Sequence, residues 1–527
     1  MDMDIDEQHY TRRAGTQRVL PIDDEHPFDL DQYISNYTGR ALVDRLVFLI
    51  PQCPTLAIQA AQAAAKQIRS MRDTTLYAQL MSAYEQAQAN GGNDVPLPPF
   101  HEVVNIDQAW IDETTRKNGD EKAKLEVELK TYSSNMIKES IRMGHRDLAE
   151  FYRSVGDYQT ALKHYAKLRE FCTTSQHVLD MCIAVLEILI EQRNYAHIPT
   201  YVFKAEPALD ASTSALRSST HTSAGSAATP HAAATAAQVS RDRFMYERQK
   251  TQTKLEVATG ISHLGLGSYE KAAAAFVRAG GASTLGPWAN RVIHPSDIAI
   301  YATLCALATF QRSQIKAQIM ENDVFVNSYL ESEPYIRELV ENWLAGRFKA
   351  VLASLGRYST RHALLPHLAP HLHNLTQLIR SKAVALYFRP FATVKLEKMA
   401  TAFGWTVDET EKEVVRLIEE GDIKGRVDRL GKILRAQETN QRAELFARTM
   451  KAGYDMQSAN RKLLLRLKLQ QADLVVKAPK QSNQAQQSSQ QPAQPAPPQS
   501  GGGGGGFAGR MMEMFSNPLG MSSALDE

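Results

Sequence analysis

The sequence predicts a mainly α-helical protein: a helical-repeat solenoid that runs into a winged helix and then into one long helix. Three observations predict it. Apolar residues recur at helical spacing through most of residues 28–380. Between Ser381 and Ala436 the pattern changes from two short helices to two short strands. From Met456 onward, apolar residues step by fours and threes, as in a coiled-coil seam.

The solenoid is read from a repeat. Around Gly156 the chain reads LAEFYRSVGDYQTALKHYAKL, with Tyr158, Ala161 and Tyr165 at offsets 0, +3 and +7 after a Gly-Asp turn. Around Gly267 it reads LGLGSYEKAAAAFVRAG, with Tyr269, Ala272 and Phe276 at the same offsets. Weaker copies follow at Tyr195, Ile198 and Val202, and at Phe348, Val351 and Leu355. The step from Tyr158 to Tyr195 is close to the helix-hairpin period of tetratricopeptide-like solenoids. A small residue suits the helix crossing, and an aromatic fills the gap to the next pair. Leu42, Leu46, Leu49 and Ile50 start the pattern, Leu56 to Tyr84 continues it, and Asn90 to Pro99 is a loop. Glu121 to Met143 reads as one long exposed helix with a single apolar stripe. Ile298 to Phe310 is the longest uncharged apolar run; it is too short for a bilayer span and reads as a buried helix.

In the winged helix, Leu396, Met399, Ala400 and Phe403 form one apolar face, ended by Gly404. Thr406 and Glu409 have capping-box spacing at the start of a second helix. Ile423 to Val427 and Gly431 to Leu434 read as a β-hairpin. The second helix would be the one to enter a DNA groove. From Val407 to Glu420 it carries six acids against Lys412 and Arg416, a charge of −4 that a phosphate backbone repels. The hairpin is basic: Lys424, Arg426, Arg429, Lys432 and Arg435 against Asp428. A protein-binding winged helix with a free strand edge is therefore the reading. A nucleic-acid-binding winged helix is the alternative. An acidic protein surface or a polyanionic small molecule on the hairpin is a third reading.

The expected domains are a disordered N-terminus (1–27), the repeats (28–380) with a disordered insertion (209–240), and the winged helix (381–436). A bundle helix (437–476) and a Gln/Pro/Gly-rich tail (477–527) complete the chain. The insertion is poor in large apolar residues and cannot offset its ordering entropy. The expected protein interface is Ile423, Lys424, Arg426, Val427 and Arg429 of the hairpin, with Met456, Asn460, Leu463, Leu467 and Leu474 of the seam.

Composition narrows the function. A net charge of +2 gives no global case for nucleic acid or an anionic membrane. Cys53, Cys172, Cys182 and Cys305 are scattered with no CxxC pair, which fits a reducing compartment rather than a disulfide or zinc framework. MDMDIDEQHY is not a secretory signal. No phosphate-binding glycine loop and no nucleophile motif is visible. His371-Leu372-His373 has the HxH spacing of zinc-dependent isopeptidases, but that site needs an aspartate about ten residues on and none occurs before Asp408. The cluster His362, His367, His371 and His373 reads instead as polar residues of a helix junction. We expect no catalytic residue, no metal and no cofactor.

The layout resembles PCI-domain scaffold subunits of the proteasome lid, the COP-nine signalosome and a translation-initiation complex. LDQYISNYTGRALVDRLVFLIPQCPTL (Leu30 to Leu56) is similar to the N-terminal signature of the subunit-one family of the signalosome, at Tyr33, Asn36-Tyr37, Gly39, Arg45-Leu46 and Cys53-Pro54. Asn135 to Cys182 and Tyr387 to Gly404 resemble its central and PCI portions. The resemblance covers roughly residues 28–470 and leaves out the insertion and the tail. It implies a non-catalytic scaffold of the complex that removes the ubiquitin-like modifier Nedd-eight from cullin-RING ubiquitin ligases. The zinc site would lie in a separate MPN-type subunit, and winged helices and C-terminal helices would join the subunits. Expected partners are the other PCI and MPN subunits and, through the complex, cullin-RING ligases, with no membrane and no nucleic acid. The expected localisation is nucleus and cytoplasm. The paralogous proteasome-lid subunit is the alternative within the family.

Overall fold

The computed structural model describes residues 20–91, 96–105, 107–222, 230–437, 441–472 and 474. The chain forms two units, one reaching Glu438 and one starting at Thr439. The first unit is helical hairpins followed by a small mixed domain. Its repeats pair Lys138–Val155 with Tyr158–Leu168, Ser175–Glu191 with Ile198–Thr222, Pro230–Gly265 with Tyr269–Arg278, and Pro334–Leu344 with Phe348–Arg357.

Three of the four hairpin turns pass through a left-handed glycine, Gly156, Gly267 and Gly346, at φ 92°, 75° and 75°. In the remaining copy Arg193 takes φ 57°. Left-handed backbone strains a side-chain-bearing residue, so this copy lacks the glycine mark that makes the others visible. The small or branched residues Ala161, Ile198, Ala272 and Val351 are fully buried at the crossings. Tyr165, Val202, Phe276 and Leu355 are buried beside them. Pro295–Thr309 is the central helix, buried on all sides from Ser296 to Ala308. An apolar run without periodicity is what such a position demands.

Three expectations give way. The stretch Glu121 to Met143 is two helices, Gln108–Ser134 and Lys138–Val155, with Met136 left-handed at φ 54° in the turn. The apolar spacing runs across the break because both helices pack a stripe. Residues 209–222 and 230–240, expected in a disordered insertion, continue helices Ile198–Thr222 and Pro230–Gly265. Alanine, the strongest helix former, supplies local stability there without large apolar side chains; residues 223–229 lie outside the described residues. Residues 20–27, expected disordered, are docked: the Leu20 N–H donates to the Gln52 carbonyl at 2.9 Å. Leu20 and Ile22 pack against the N-terminal core. Residues 1–19 and the tail beyond Leu474 lie outside the described residues.

Helices Leu30–Ser35, Arg40–Leu49, Ala57–Ile68 and Leu76–Gly91 share a core of their own, which Leu364 joins from the far end of the repeats. A buried polar network locks this unit to the repeats. Arg45 donates from Nη2 to Asp297 Oδ2 at 2.5 Å, and Tyr37 donates its O–H to Asp297 Oδ1 at 2.6 Å. The Arg45 guanidinium lies over the Tyr37 ring, 3.9 Å from its centre. Tyr33 donates to the Leu364 carbonyl at 3.2 Å. Desolvation opposes the charge on Arg45; Asp297 together with the surrounding tyrosines Tyr37, Tyr33 and Tyr301 outweighs it and favours the charged guanidinium. Tyr33, Tyr37 and Arg45, three positions of the N-terminal signature, are thus the residues that cross to the repeats.

Three of the four clustered histidines sit at a helix junction, and His373 is exposed. His362 meets the Tyr335 hydroxyl at 3.1 Å, His367 meets Tyr195 at 2.8 Å, and His371 meets Tyr269 at 3.2 Å. Tyr195 and Tyr269 are the first aromatics of two repeat copies. Gly265 lets the Tyr195 ring press onto its helix, where any Cβ would overlap that ring. Burial pushes both His362 and His367 down to about 3.

Two outcomes follow from this packing. Arg45→Met leaves the Asp297 carboxylate buried without its partner, and should cost about 3–5 kcal/mol in denaturant melts. Arg45→Met with Asp297→Leu should regain most of that loss. His362 and His367 are neutral when folded, so the unfolded chain takes up their protons first. Their stabilisation is complete above the ordinary histidine range near 6.5 and is lost as pH falls towards 3. At pH 5 the loss is about 2 kcal/mol for each. Melts from pH 7.5 to 5 should show this slope, and His362→Gln with His367→Gln should flatten it.

Candidate partner-binding surfaces

The winged helix is built on the end of the repeats. Trp343, Phe348, Phe403 and Trp405 form a run of ring contacts, with centroid separations of 5.6, 5.6 and 4.9 Å. Lys382 donates to the carbonyls of Leu307 and Phe310, so a cation closes the C-terminus of the central helix. Burial pushes its ammonium down to about 8. Leu396–Phe403 buries Leu396, Met399, Ala400 and Phe403 and stops at left-handed Gly404. The capping box forms: the Glu409 N–H donates to Thr406 Oγ1 at 3.3 Å, and the Thr406 N–H donates to Glu409 Oε2 at 3.1 Å. The second helix, Val407–Glu419, turns Val414 and Leu417 inward and Asp408, Glu409 and Glu419 outward, while Glu411 and Glu413 are half-buried.

The sheet has three strands: β1 (Thr393–Lys395), β2 (Gly425–Asp428) and β3 (Ile433–Ala436), in the order β1-β3-β2. β1 was not visible in the sequence, because three residues are too few for an alternation to register; only pairing with β3 defines it. Val394, Leu434 and Val427 stand in one row across the sheet, and Thr393, Arg435 and Arg426 in the next. The Gln437 N–H donates to the Lys424 carbonyl at 3.0 Å. Antiparallel alternation then directs the Arg426 N–H toward β3 and the Val427 N–H away from it. Among the described residues β2 pairs with β3 alone, so its other edge carries no strand.

The five hairpin positions separate by environment. Ile423 is 4% exposed and belongs to the core beneath the sheet, so it supports the wing rather than facing a partner. Val427 is half-buried opposite Leu434. Lys424, Arg426 and Arg429 are exposed. Arg429 reaches Glu411 at 3.4 Å, and Lys432 reaches the same carboxylate at 2.8 Å. The Lys432 hydrogen bond holds Glu411 below the usual carboxylate range. Part of the basic hairpin is therefore matched to the acidic helix of its own domain. Leu430, fully exposed at the tip of the turn, was missed; nothing in an LGK turn marks it.

The second unit contains helix Gln441–Gln471. Met456, Asn460, Leu463 and Leu467 lie on it and are exposed, as is every residue of it from Arg442 on. Leu474 falls outside the helix: its N–H donates to the Leu469 carbonyl in a closing turn, so the seam ends before it. Phe446 extends the seam backward by the same steps and was missed because Gly453 and Thr449 interrupt the pattern. Among the described residues no three His, Cys, Asp or Glu side chains gather as a metal set. No helix of the described residues is long and apolar enough to cross a membrane.

Helical repeats capped by a winged helix define a PCI-type subunit, and comparison with known proteins agrees. The family model for the PCI domain matches residues 355–438, and that for 26S proteasome subunit RPN7 matches residues 107–318. COP9 signalosome complex subunit 1b of Drosophila melanogaster is 31% identical over 516 residues, covering 91% of this chain and 92% of the relative. COP9 signalosome complex subunit 1 of Arabidopsis thaliana is 32% identical over 457 residues, covering 86% and 92%. The 26S proteasome non-ATPase regulatory subunit 6 homolog of Arabidopsis thaliana is 19% identical over 353 residues, covering 67% and 81%. The chain belongs to the COP9 signalosome subunit 1 family.

The wing predicts a contrast between neighbours in sequence. Ile423→Asp buries a charge under the sheet and should lower stability by several kcal/mol. Arg426→Glu, exposed and directly opposite Arg435, should raise it by about 0.2–0.5 kcal/mol. Thermal melts of the two variants against the parent chain check both signs.

Proposed function

We propose that this chain is a non-catalytic scaffold of a signalosome that removes Nedd-eight from cullin-RING ubiquitin ligases. It joins other PCI and MPN subunits, and the isopeptidase step belongs to an MPN-type subunit. The observation that carries this reading is the helix Gln441–Gln471. Among the described residues its leucine seam has no cover within its own unit, and so much exposed apolar surface marks an interaction site. The open edge of β2 is a second contact of the kind that adds a strand from a neighbour. Relatives named as signalosome subunit 1 reach 31–32% identity, against 19% for the proteasome homolog, which favours the signalosome over the proteasome lid. The acidic second helix argues against a nucleic-acid role. We place the protein in the nucleus and cytoplasm; four free thiols, three of them buried, suit a reducing compartment.

Leu463→Asp with Leu467→Asp should leave the melt of the isolated chain within about 0.5 kcal/mol, since both side chains are exposed. The same double variant should lose co-purification with PCI and MPN subunits from native extract. Val427→Pro removes an outward-facing edge N–H and should weaken the same capture through the wing. Undiminished capture by the double variant would overturn the seam as the joining surface.

A further inference from the structure

The outer face of the wing sheet carries charge that the fold does not use. Strand alternation puts Lys395, Arg426 and Arg435 on that face, with Lys424 just before β2. All four are exposed. Among the described residues none of them makes an ion pair, unlike Arg429 and Lys432 nearby. Arg426 stands directly opposite Arg435, a like-charge pair that disfavours the sheet unless something neutralises it.

The acidic counterpart lies in the same polypeptide. Residues 1–7 read MDMDIDE, with Asp2, Asp4 and Asp6 at every second position. An extended segment places such residues on one side, about 6.8 Å apart. That is the strand spacing from Lys424, just before β2, to Arg426. We propose that the acidic segment Asp2–Glu7 docks in extended form on the outer face of the wing, its alternate aspartates against Lys395, Lys424, Arg426 and Arg435.

The reach allows it. Pro21 is held by Thr360, whose hydroxyl donates to its carbonyl at 2.8 Å. From Thr360 helical residues lead back to Phe348, which stacks on Phe403, and Leu396–Phe403 leads to Lys395. This path sums to about 45 Å at helical rise, and the direct separation is shorter. The stretch from Asp6 to Pro21 extends to about 50 Å. Single exposed ion pairs are weak, but a tether keeps the segment at high local concentration.

The test is zero-length carbodiimide coupling of the full chain, as an equal mixture of nitrogen-14 and nitrogen-15 forms, read by mass spectrometry. The expected result is amide links between the 1–7 peptide and Lys395 or Lys424, each within one isotopic form. Their yield should fall at least fivefold from about 20 mM to about 500 mM salt, as screening shortens the reach of exposed charges. R426E/R435E, both exposed, should lower the yield similarly at low salt while the melt is kept. Isotopically mixed products would assign the face to a second chain. Those products, no product at all, or links that ignore salt would each overturn the proposal. Because the coupling uses the chain alone, its outcome is separate from that of the capture experiments.

Discussion

The ion pair between Arg45 and Asp297 is the constraint on which the rest of the first unit depends. Both groups are excluded from water, and a buried pair is stable only when its remaining donors and acceptors are matched. Here Tyr37 supplies the second hydrogen bond to the carboxylate and its ring covers the guanidinium. Asp297 sits in the first turn of the central helix, so the N-terminal helices are registered against the element on which Tyr269–Arg278, Pro334–Leu344 and Leu372–Phe388 pack. Burial of this kind is costly in any other arrangement, which makes the docking specific rather than merely apolar.

The same logic recurs along the repeats. Each histidine of the His362–His371 junction meets a tyrosine hydroxyl, so the half-buried rings of Tyr335, Tyr195 and Tyr269 keep a polar partner. The junction thereby ties together repeats that are far apart in sequence. The ring contacts from Trp343 to Trp405 then carry that order into the winged helix. The wing is held in place by the solenoid, while among the described residues one sheet edge and one sheet face are left open.

Much of this was legible beforehand because it is local. The capping box at Thr406, the stop at Gly404, the buried run near Ile298 and the glycine-marked repeat turns each follow from a few adjacent residues. Strand β1, the docking of Leu20 and the partner of Arg45 were not legible, because each is defined by a residue far along the chain. The site divided in the same way. The leucine seam through Leu463 and Leu467 was readable from spacing alone. That Ile423 is core, that Arg429 and Lys432 are answered by Glu411, and that Leu474 falls past the helix end were not.

By itself, then, the order of residues determined most of the helices, the glycine-marked turns, the repeat period and the family, since these rest on short-range sterics, capping and apolar spacing. Tertiary structure decided which charges are spent inside the molecule and which remain for partners. That division depends on distances between segments hundreds of residues apart, such as Arg45 and Asp297. A linear pattern carries no record of such distances until the chain has folded.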